Sequence, residues 1–447
     1  MKIIIAGAGE VGFHLAKMLA HESHDITLID FDEAKLNYAE SHIDVQVVSG
    51  NASSIQLLKD CGIGEADLLI AATSIENTNI IVSILGKKLG AARTIARINN
   101  PEFQSDENTG YMNDLGIDVM VFPEYLAAKD IHRLIRRSAL TDSFEFGEGR
   151  LSLTGIVLED SSELVGKNLI QLASELPKSI QFTLVAVSRN NQTIIPRGDT
   201  FLKAQDHVYF ISMPECIGDI IKLAGKEKVE VKNVMILGGG LIGRLLAQRI
   251  EQKYSVKLVE ADKAKCFRLA DTLSDTLVIH GDGRDVELLE EEGISDMDAF
   301  ISVTGNSETN IISCLVAKNH GVKRTIALVE NIEYISLSQN IGIDTLINKK
   351  LIAVHDIFRF VREGQVEHVT SLHGIESEIL EFIVPDNSRI TRNPIRALNF
   401  PRLAVIAGIV RGRKSYIASG DFEIQGGDHV VVFTIPKAIH EVEKFFK

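Results

Sequence analysis

Short β-branched, apolar runs alternate with amphipathic stretches along much of the chain. Lys2–Ala6 is an extended run that ends in glycines, and residues 11–19 carry apolar positions at helical spacing. Asp25–Asp30 is extended again, and residues 67–72 read as another buried strand. This alternation predicts a parallel, doubly wound α/β sheet. Two other regions, about 145–226 and 370–447, follow a different pattern. There, short alternating strands such as residues 151–158, 184–188 and 207–212 are separated by Gly, Pro and Asn turns, which predicts small α+β modules.

The chain repeats itself. Gly7-Ala8-Gly9-Glu10-Val11-Gly12 recurs as Gly238-Gly239-Gly240-Leu241-Ile242-Gly243, an offset of 231 (7 to 238). Gly50 and Gly281, Gly62 and Gly293, Asp67 and Asp298, Thr73 and Thr304, and Thr78-Asn79 and Thr309-Asn310 keep that offset. A second repeat has an offset of 222 (198 to 420): Gly198-Asp199 with Asp206-His207-Val208 matches Gly420-Asp421 with Asp428-His429-Val430. The predicted order is A-B-A′-B′: Rossmann-like sheets over 1–140 and 229–365, and smaller modules over 141–228 and 366–447. Gly225-Lys226-Glu227-Lys228 forms a charged hinge before the third segment.

Composition narrows the function. The chain has 447 residues, which suggests about three domains rather than one core. Forty-seven Lys and Arg stand against 61 Asp and Glu, a net charge of −14 that opposes nucleic-acid binding. The longest stretch free of charged residues is 233–243, too short to cross a bilayer, and Gly7, Gly9 and Glu10 interrupt the apolar start before it resembles a signal peptide. The four cysteines include no C-x-x-C pair, so reduced thiols and a cytoplasmic setting are expected.

A G-x-G-x-x-G turn is informative only between a strand and a helix, with an acidic residue about 20 positions on. Both copies meet these conditions. Gly7 makes the tight turn, Gly9 lets backbone approach a pyrophosphate, and Gly12 lets helix pack on strand. The helix start supplies free N–H groups. Asp30 lies 18 residues after Gly12, and Glu260 lies 17 after Gly243, each where ribose hydroxyls would sit. A carboxylate there favours NAD over NADP. Ala8, Glu10 and Val11 complete the first turn, as Leu241 and Ile242 complete the second around Gly238, Gly239, Gly240 and Gly243. Arg97, a candidate phosphate partner, maps onto Leu328, so the two units differ. Asn51 and Asp282 follow strand-end glycines that could face the adenine, with an ordinary Asx turn as the plain alternative. Thr73, Ser74 and Thr304 follow the next buried strand at the ligand-binding edge, with helix capping as their alternative.

These residues, together with Ile95-Ala96-Arg97-Ile98 and the doubled carboxyl-terminal module, resemble the TrkA family of Trk potassium uptake systems, built from tandem RCK (KTN) units. The resemblance spans essentially the whole chain. It implies a cytosolic regulatory subunit that binds NAD or NADH, with ADP or ATP as alternative ligands. It further implies a homo-oligomer, dimer or tetramer, forming an RCK ring at the cytoplasmic face of the inner membrane. The implied partner is a potassium-translocating subunit of the TrkH/TrkG type, and no enzymatic activity is implied for this chain. In ATP-responsive relatives a basic residue can follow the second glycine of the turn. This chain has Glu10 and Leu241 there, which leaves the first unit without that γ-phosphate contact, while Arg244 follows Gly243.

Helical connectors are expected over 125–137 and 351–362, sharing Asp130-Ile131 with Arg133 and Asp356-Ile357 with Arg359, and suited to coupling nucleotide sites to movement of neighbouring units. Two rival classes are an NAD-dependent oxidoreductase and a free-standing nucleotide-sensing scaffold. Tyr125 and Lys129 have the Y-x-x-x-K spacing of hydride chemistry, but the repeat carries Leu351 and His355 there. His21 and His24 around Glu22, and His368 with His373, lack the convergent spacing of a metal site. The cluster His132, Arg133, Arg136 and Arg137 reads as a solvated helix face or a surface for an acidic partner, and Asp160 with Glu163 as a polar turn or a divalent-cation site.

Overall fold

The computed structural model describes residues 1–20, 24–136, 140–177, 179–190, 192–226, 230–331, 334, 342–361, 366–371 and 377–447. His21, Glu22, Arg137, Glu227, Lys228, Arg362 and His373 lie outside the described residues. Two compact units account for the chain: Met1–Ala127 with Asn348–Arg362, and Ala128–Ile347 with Glu363–Lys447.

The first unit is built on six strands, β1 (Lys2–Ala6), β2 (Asp25–Asp30), β3 (Gln46–Ser49), β4 (Leu68–Ala71), β5 (Arg93–Arg97) and β6 (Val119–Val121). All pair in parallel, in the order β3-β2-β1-β4-β5-β6. The helices are α1 (Glu10–Ala20), α2 (Glu33–His42), α3 (Ile55–Asp60), α4 (Glu76–Leu89), α5 (Asp106–Asp114) and α6 (Pro123–Arg136), the last crossing the unit boundary. Ile3, Ile4, Ile5, Leu69 and Ile70 are fully buried. Central parallel strands are covered on both faces, which is why these runs are continuously apolar.

Helix Lys349–Val361 also belongs to this unit and packs on α1. Its buried face is Ala353, Val354, Ile357 and Phe358, and buried Asn348 caps it by accepting from the N–H groups of Lys350 (2.9 Å) and Leu351 (3.0 Å). The connector that follows the second sheet in the chain is thus packed on the first.

In the second unit, β7 (Asp142–Phe146), β8 (Leu151–Val157), β9 (Phe182–Arg189), β10 (Gln192–Ile194) and β11 (His207–Ser212) form an antiparallel sheet ordered β10-β9-β11-β8-β7, with helices α7 (Leu169–Glu175) and α8 (Ile217–Leu223). The second parallel sheet comprises β12 (Asn233–Leu237), β13 (Ser255–Glu260), β14 (Thr276–His280), β15 (Ala299–Ser302), β16 (Arg324–Leu328) and β17 (Thr345–Ile347). Its order, β14-β13-β12-β15-β16-β17, reproduces the first. Helices α9 (Leu241–Ile250), α10 (Lys263–Thr272), α11 (Val286–Glu291) and α12 (Ser307–Asn319) alternate with it. The chain closes with β18 (Val366–Ser371), β19 (Glu378–Ile383), β20 (Ala404–Arg411), β21 (Lys414–Ile417) and β22 (His429–Thr434), ordered β18-β19-β22-β20-β21.

The repeated aspartates of the small modules have a structural role. Asp206 and Asp428, both buried, each accept two hydrogen bonds from an arginine, Arg189 (2.6 and 2.6 Å) and Arg411 (2.7 and 2.7 Å). Such bidentate pairing satisfies a buried carboxylate. The two modules share one core in which Phe146, Leu153, Val185 and Tyr209 meet Ile379, Val410, Val431 and Phe433.

Candidate functional site

In each parallel sheet the strand order reverses between the first and fourth strands, which opens a crevice at their carboxyl ends. Gly7 turns there with φ +111°, and its N–H donates to Ile29 O at 2.7 Å. A methyl group on Gly7 would stand 2.9 Å from Thr73 N, so the loops after β1 and β4 converge at this point. A methyl on Gly12 would overlap the Gly7 carbonyl, whereas one on Gly9 meets nothing within 4 Å. Gly12 is therefore a packing residue, and Gly9 faces open space beside the N-terminus of α1. The second crevice repeats this. Gly238 has φ +104°, a methyl on Gly243 would overlap its carbonyl, and Gly240 is open. Ala8, Val11 and Ile242 are buried beneath the turns, while Glu10 is exposed and Leu241 half-buried.

Asp30 is half-buried and accepts hydrogen bonds from Ala8 N–H (2.6 Å) and Asp32 N–H (3.0 Å). Glu260, buried, accepts from Gly239 N–H (2.9 Å) and Asp262 N–H (2.9 Å), and Lys265 Nζ stands 3.5 Å away. Each carboxylate is locked against its glycine turn, one lone pair per oxygen engaged and the others available to hydroxyl donors.

Thr73 and Thr304 are engaged internally. Thr73 N–H and Oγ1 donate to Asn79 Oδ1 (2.9 and 2.7 Å), and Thr304 does the same to Asn310 (2.9 and 2.7 Å). Asn79 Nδ2 donates onward to Thr73 O and Arg97 O, and Asn310 Nδ2 to Thr304 O and Leu328 O. Both asparagines are buried and clasp the ends of two adjacent strands, a role the recurrence of Thr-Asn in the sequence did not disclose. Ser74 is exposed on the same loop. Arg97 is half-buried at the end of β5, and among the described residues its buried Nε has no hydrogen-bond partner.

Asn51 closes an Asx turn onto Ser53 N–H at 3.0 Å. Asp282 accepts from Arg284 N–H (3.0 Å) and from the Arg284 guanidinium (2.6 Å), whose hydrogen bonds hold the carboxyl down at about 2. Both therefore make the turn that the plain alternative expects.

Around the first turn Phe13 and Tyr38 bring their rings within 5.1 Å, and burial, then Lys17, lowers the pKa of His14. At the start of α1, Glu10 pairs with Lys350 of helix Lys349–Val361 at 3.0 Å, and Glu124 pairs with Lys349 at 3.4 Å. The lysine of the later helix could not be assigned to this turn from spacing.

The remaining candidates lie on α6 and in the turns of the first small module. Tyr125 is half-buried and Lys129 exposed on α6. Arg133 pairs with Asp130 at 2.9 Å and lies over the Phe144 ring, while burial, then Arg136, Arg249 and Lys253, lowers the pKa of His132. Asp160 and Glu163 are exposed in turns. Among the described residues no group of three His, Cys, Asp or Glu is placed to hold a metal, and no helix is long and apolar enough to cross a membrane.

Comparison with known proteins places this architecture. The TrkA-N domain model matches residues 3–123 and 234–349, and the TrkA-C domain model matches 153–225 and 379–447. The chain is 33% identical to Trk system potassium uptake protein TrkA homolog 1 of Methanosarcina mazei, over 100% of both chains. It is 35% identical to Trk system potassium uptake protein TrkA of Haemophilus influenzae, over 100% of this chain and 99% of that one. Among solved structures, the GsuK channel bound to NAD superposes with TM-score 0.60 at 16% identity, covering 100% of this chain and 78% of that chain. The GsuK RCK domain superposes with TM-score 0.60 at 16% identity, covering 99% and 94%. At these identities the structures establish the fold.

Proposed function

The chain belongs to the TrkA family of Trk potassium uptake proteins, and from that premise we propose that it is the nucleotide-binding regulatory subunit of a potassium uptake system. The observation that carries this reading is the duplicated crevice, in which an open glycine at a helix start stands beside a carboxylate anchored by the turn's own N–H groups. The helix start receives phosphate, and Asp30 or Glu260 receives ribose hydroxyls. Gly7, Gly9 and Gly12, with Gly238, Gly240 and Gly243, shape the two cradles, and Arg97 at the end of β5 is the candidate phosphate partner in the first.

NAD or NADH is the ligand this donor set suits, since a carboxylate at the ribose position repels a 2′-phosphate; ADP and ATP share the ribose and helix-start contacts. The GsuK structures with NAD and with ADP lend weight to both classes. The chain acts by binding rather than turnover. Nucleotide shifts the conformational equilibrium by its differential affinity for two arrangements, typically about 1 to 3 kcal/mol of coupling. That energy is delivered to a membrane potassium-translocating subunit of the TrkH/TrkG type by a homo-oligomeric ring at the cytoplasmic face. Helix Lys349–Val361, seated on α1 with Lys350 on Glu10, is the element best placed to carry the signal out of the first crevice.

The test is calorimetric titration of NAD, NADH, ADP and ATP into the wild type, Asp30→Ala and Glu260→Ala, followed by ion flux through the reconstituted complex. Each substitution should remove one class of binding, and flux should differ between nucleotides. Equal flux with every nucleotide and with none, or turnover of a metabolite, would overturn the reading.

A further inference from the structure

The two crevices share a frame but not a rim. Beside Gly239 and Gly240 the second opens into a cavity of about 520 Å³ whose lining includes Arg244, Lys265, Arg268 and Asp271. Lys265 is partly committed to Glu260, at 3.5 Å. Arg244 is half-buried and Arg268 exposed, and among the described residues neither side chain makes a salt bridge or donates a hydrogen bond. Around the mouth of the glycine turn the cations are therefore Arg244, Arg268 and the Glu260-paired Lys265, with Asp271 in the same lining.

Structural register shows what the first crevice has instead. Gly12 and Gly243 occupy the same place, so Phe13 answers to Arg244. Asp32 and Asp262 are the N-caps of α2 and α10, which aligns Lys35 with Lys265 and Tyr38 with Arg268. Both arginines are aromatic residues in the first copy, and those rings lie 5.1 Å apart. The first turn also carries Glu10, an anion at the start of α1, where the second carries Leu241.

From these differences we infer that the second crevice takes a nucleoside di- or triphosphate, its terminal phosphates held by Arg244 and Arg268, while the first takes the dinucleotide. The inference rests on the reading that both crevices bind nucleotide. Guanidinium groups grip phosphate oxygens in pairs, and two of them left unpaired beside a helix start are arranged for more negative charge than a dinucleotide's pyrophosphate carries. The aromatic pair, with Glu10 occupied by Lys350, leaves the first rim without arginines for terminal phosphates and suits it to flat, weakly charged rings.

The experiment is calorimetry of the full-length protein with ATP and with NAD, in the wild type, in Arg244→Gln/Arg268→Gln, and in Phe13→Arg/Tyr38→Arg. The glutamine pair should weaken ATP binding at one class of site at least about tenfold and leave NAD binding at the other unchanged. The arginine pair should add a second class of ATP site. Raising salt should weaken ATP binding in the wild type more than in the glutamine pair. Undiminished ATP affinity and stoichiometry in the glutamine pair would overturn the inference while leaving nucleotide regulation intact. Failure of the wild type to bind either nucleotide would overturn both. If the glutamine pair is poorly folded, the gain of ATP binding in the arginine pair decides alone, and its absence counts against the inference.

Discussion

Replacing Gly9 and Gly12 by alanine separates binding from folding within one turn. At Gly9 the new methyl meets nothing within 4 Å, and φ there is not in the left-handed region, so the fold should tolerate it, with a stability change of about 0.5 kcal/mol or less. The same methyl stands in the space where a pyrophosphate would accept from the N–H groups of α1. Losing one charge-assisted hydrogen bond there costs about 1.5 to 3 kcal/mol, or roughly 10- to 150-fold in affinity. At Gly12 the methyl would overlap the Gly7 carbonyl oxygen and stand 3.0 Å from its carbon. The obstacle is backbone on both sides, so α1 must retreat by about 1 Å or more, with about 1 to 3 kcal/mol lost to overpacking. Thermal unfolding and calorimetric titration of NAD read the two effects. Gly9→Ala should melt with the wild type and bind at least tenfold more weakly, while Gly12→Ala should melt several degrees lower. Wild-type affinity in Gly9→Ala would refute the assigned ligand path, and an unshifted melt in Gly12→Ala would refute the packing argument.

Asn79→Ala removes the acceptor for Thr73 and strands the Arg97 carbonyl, and should cost about 2 to 4 kcal/mol in urea unfolding; a loss under about 0.5 kcal/mol would contradict the clasp. Asp282 titrates at about 2 in the folded chain, below its ordinary 3.8, so its contribution is present above pH 3.8 and lost as pH falls through 2. With the side chains 47% and 72% exposed the contribution is well under about 1 kcal/mol, and Arg284→Ala should return the carboxyl towards 3.8 by NMR titration. Lys350 and Glu10 are 20% and 48% exposed, so a double-mutant cycle should give a coupling of about 0.2 to 1 kcal/mol. Lys350→Met should weaken nucleotide binding to the first crevice by a few-fold and Glu10→Gln strengthen it, because each changes the charge beside the ligand's phosphates; opposite signs would exclude phosphate at that helix start.

The layering of the fold was legible because a parallel strand buried on both faces must read as a continuous apolar run, and Lys2–Ala6 and Asn233–Leu237 do. Glycine spacing located both turns, since a positive φ at Gly7 and the approach of Gly12 to Gly7 leave little choice of residue. The clasp of Asn79 was not legible. Its key partner is the backbone carbonyl of Arg97, and any residue at 97 would offer the same oxygen, so no side-chain pattern marks the pair. Nor was the rim of the second crevice. Glu260 comes one residue earlier after its glycines than Asp30 does, so the offset of 231 that aligns Arg244 with Phe13 sets Arg268 against Asn37, and only the caps Asp32 and Asp262 restore Tyr38 as its counterpart.

The amphipathic period predicted the connector helices but could not say which sheet would receive them. Ala353, Val354, Ile357 and Phe358 form a face that fits any helix groove of suitable width, and apolar burial carries no address. Charge supplies part of one: Lys350 finds Glu10 and Lys349 finds Glu124, both carboxylates in the first unit. The partly exposed Lys350–Glu10 pair contributes little to stability, and its value lies in orientation. A lysine held at the first turn by Glu10 stands beside the helix start that the proposed ligand's phosphate would approach, and the helix that bears it runs to Val361. A bound anion can thus alter the seating of that helix by changing the balance of one ion pair, which gives ligands of different phosphate charge different leverage on the same element.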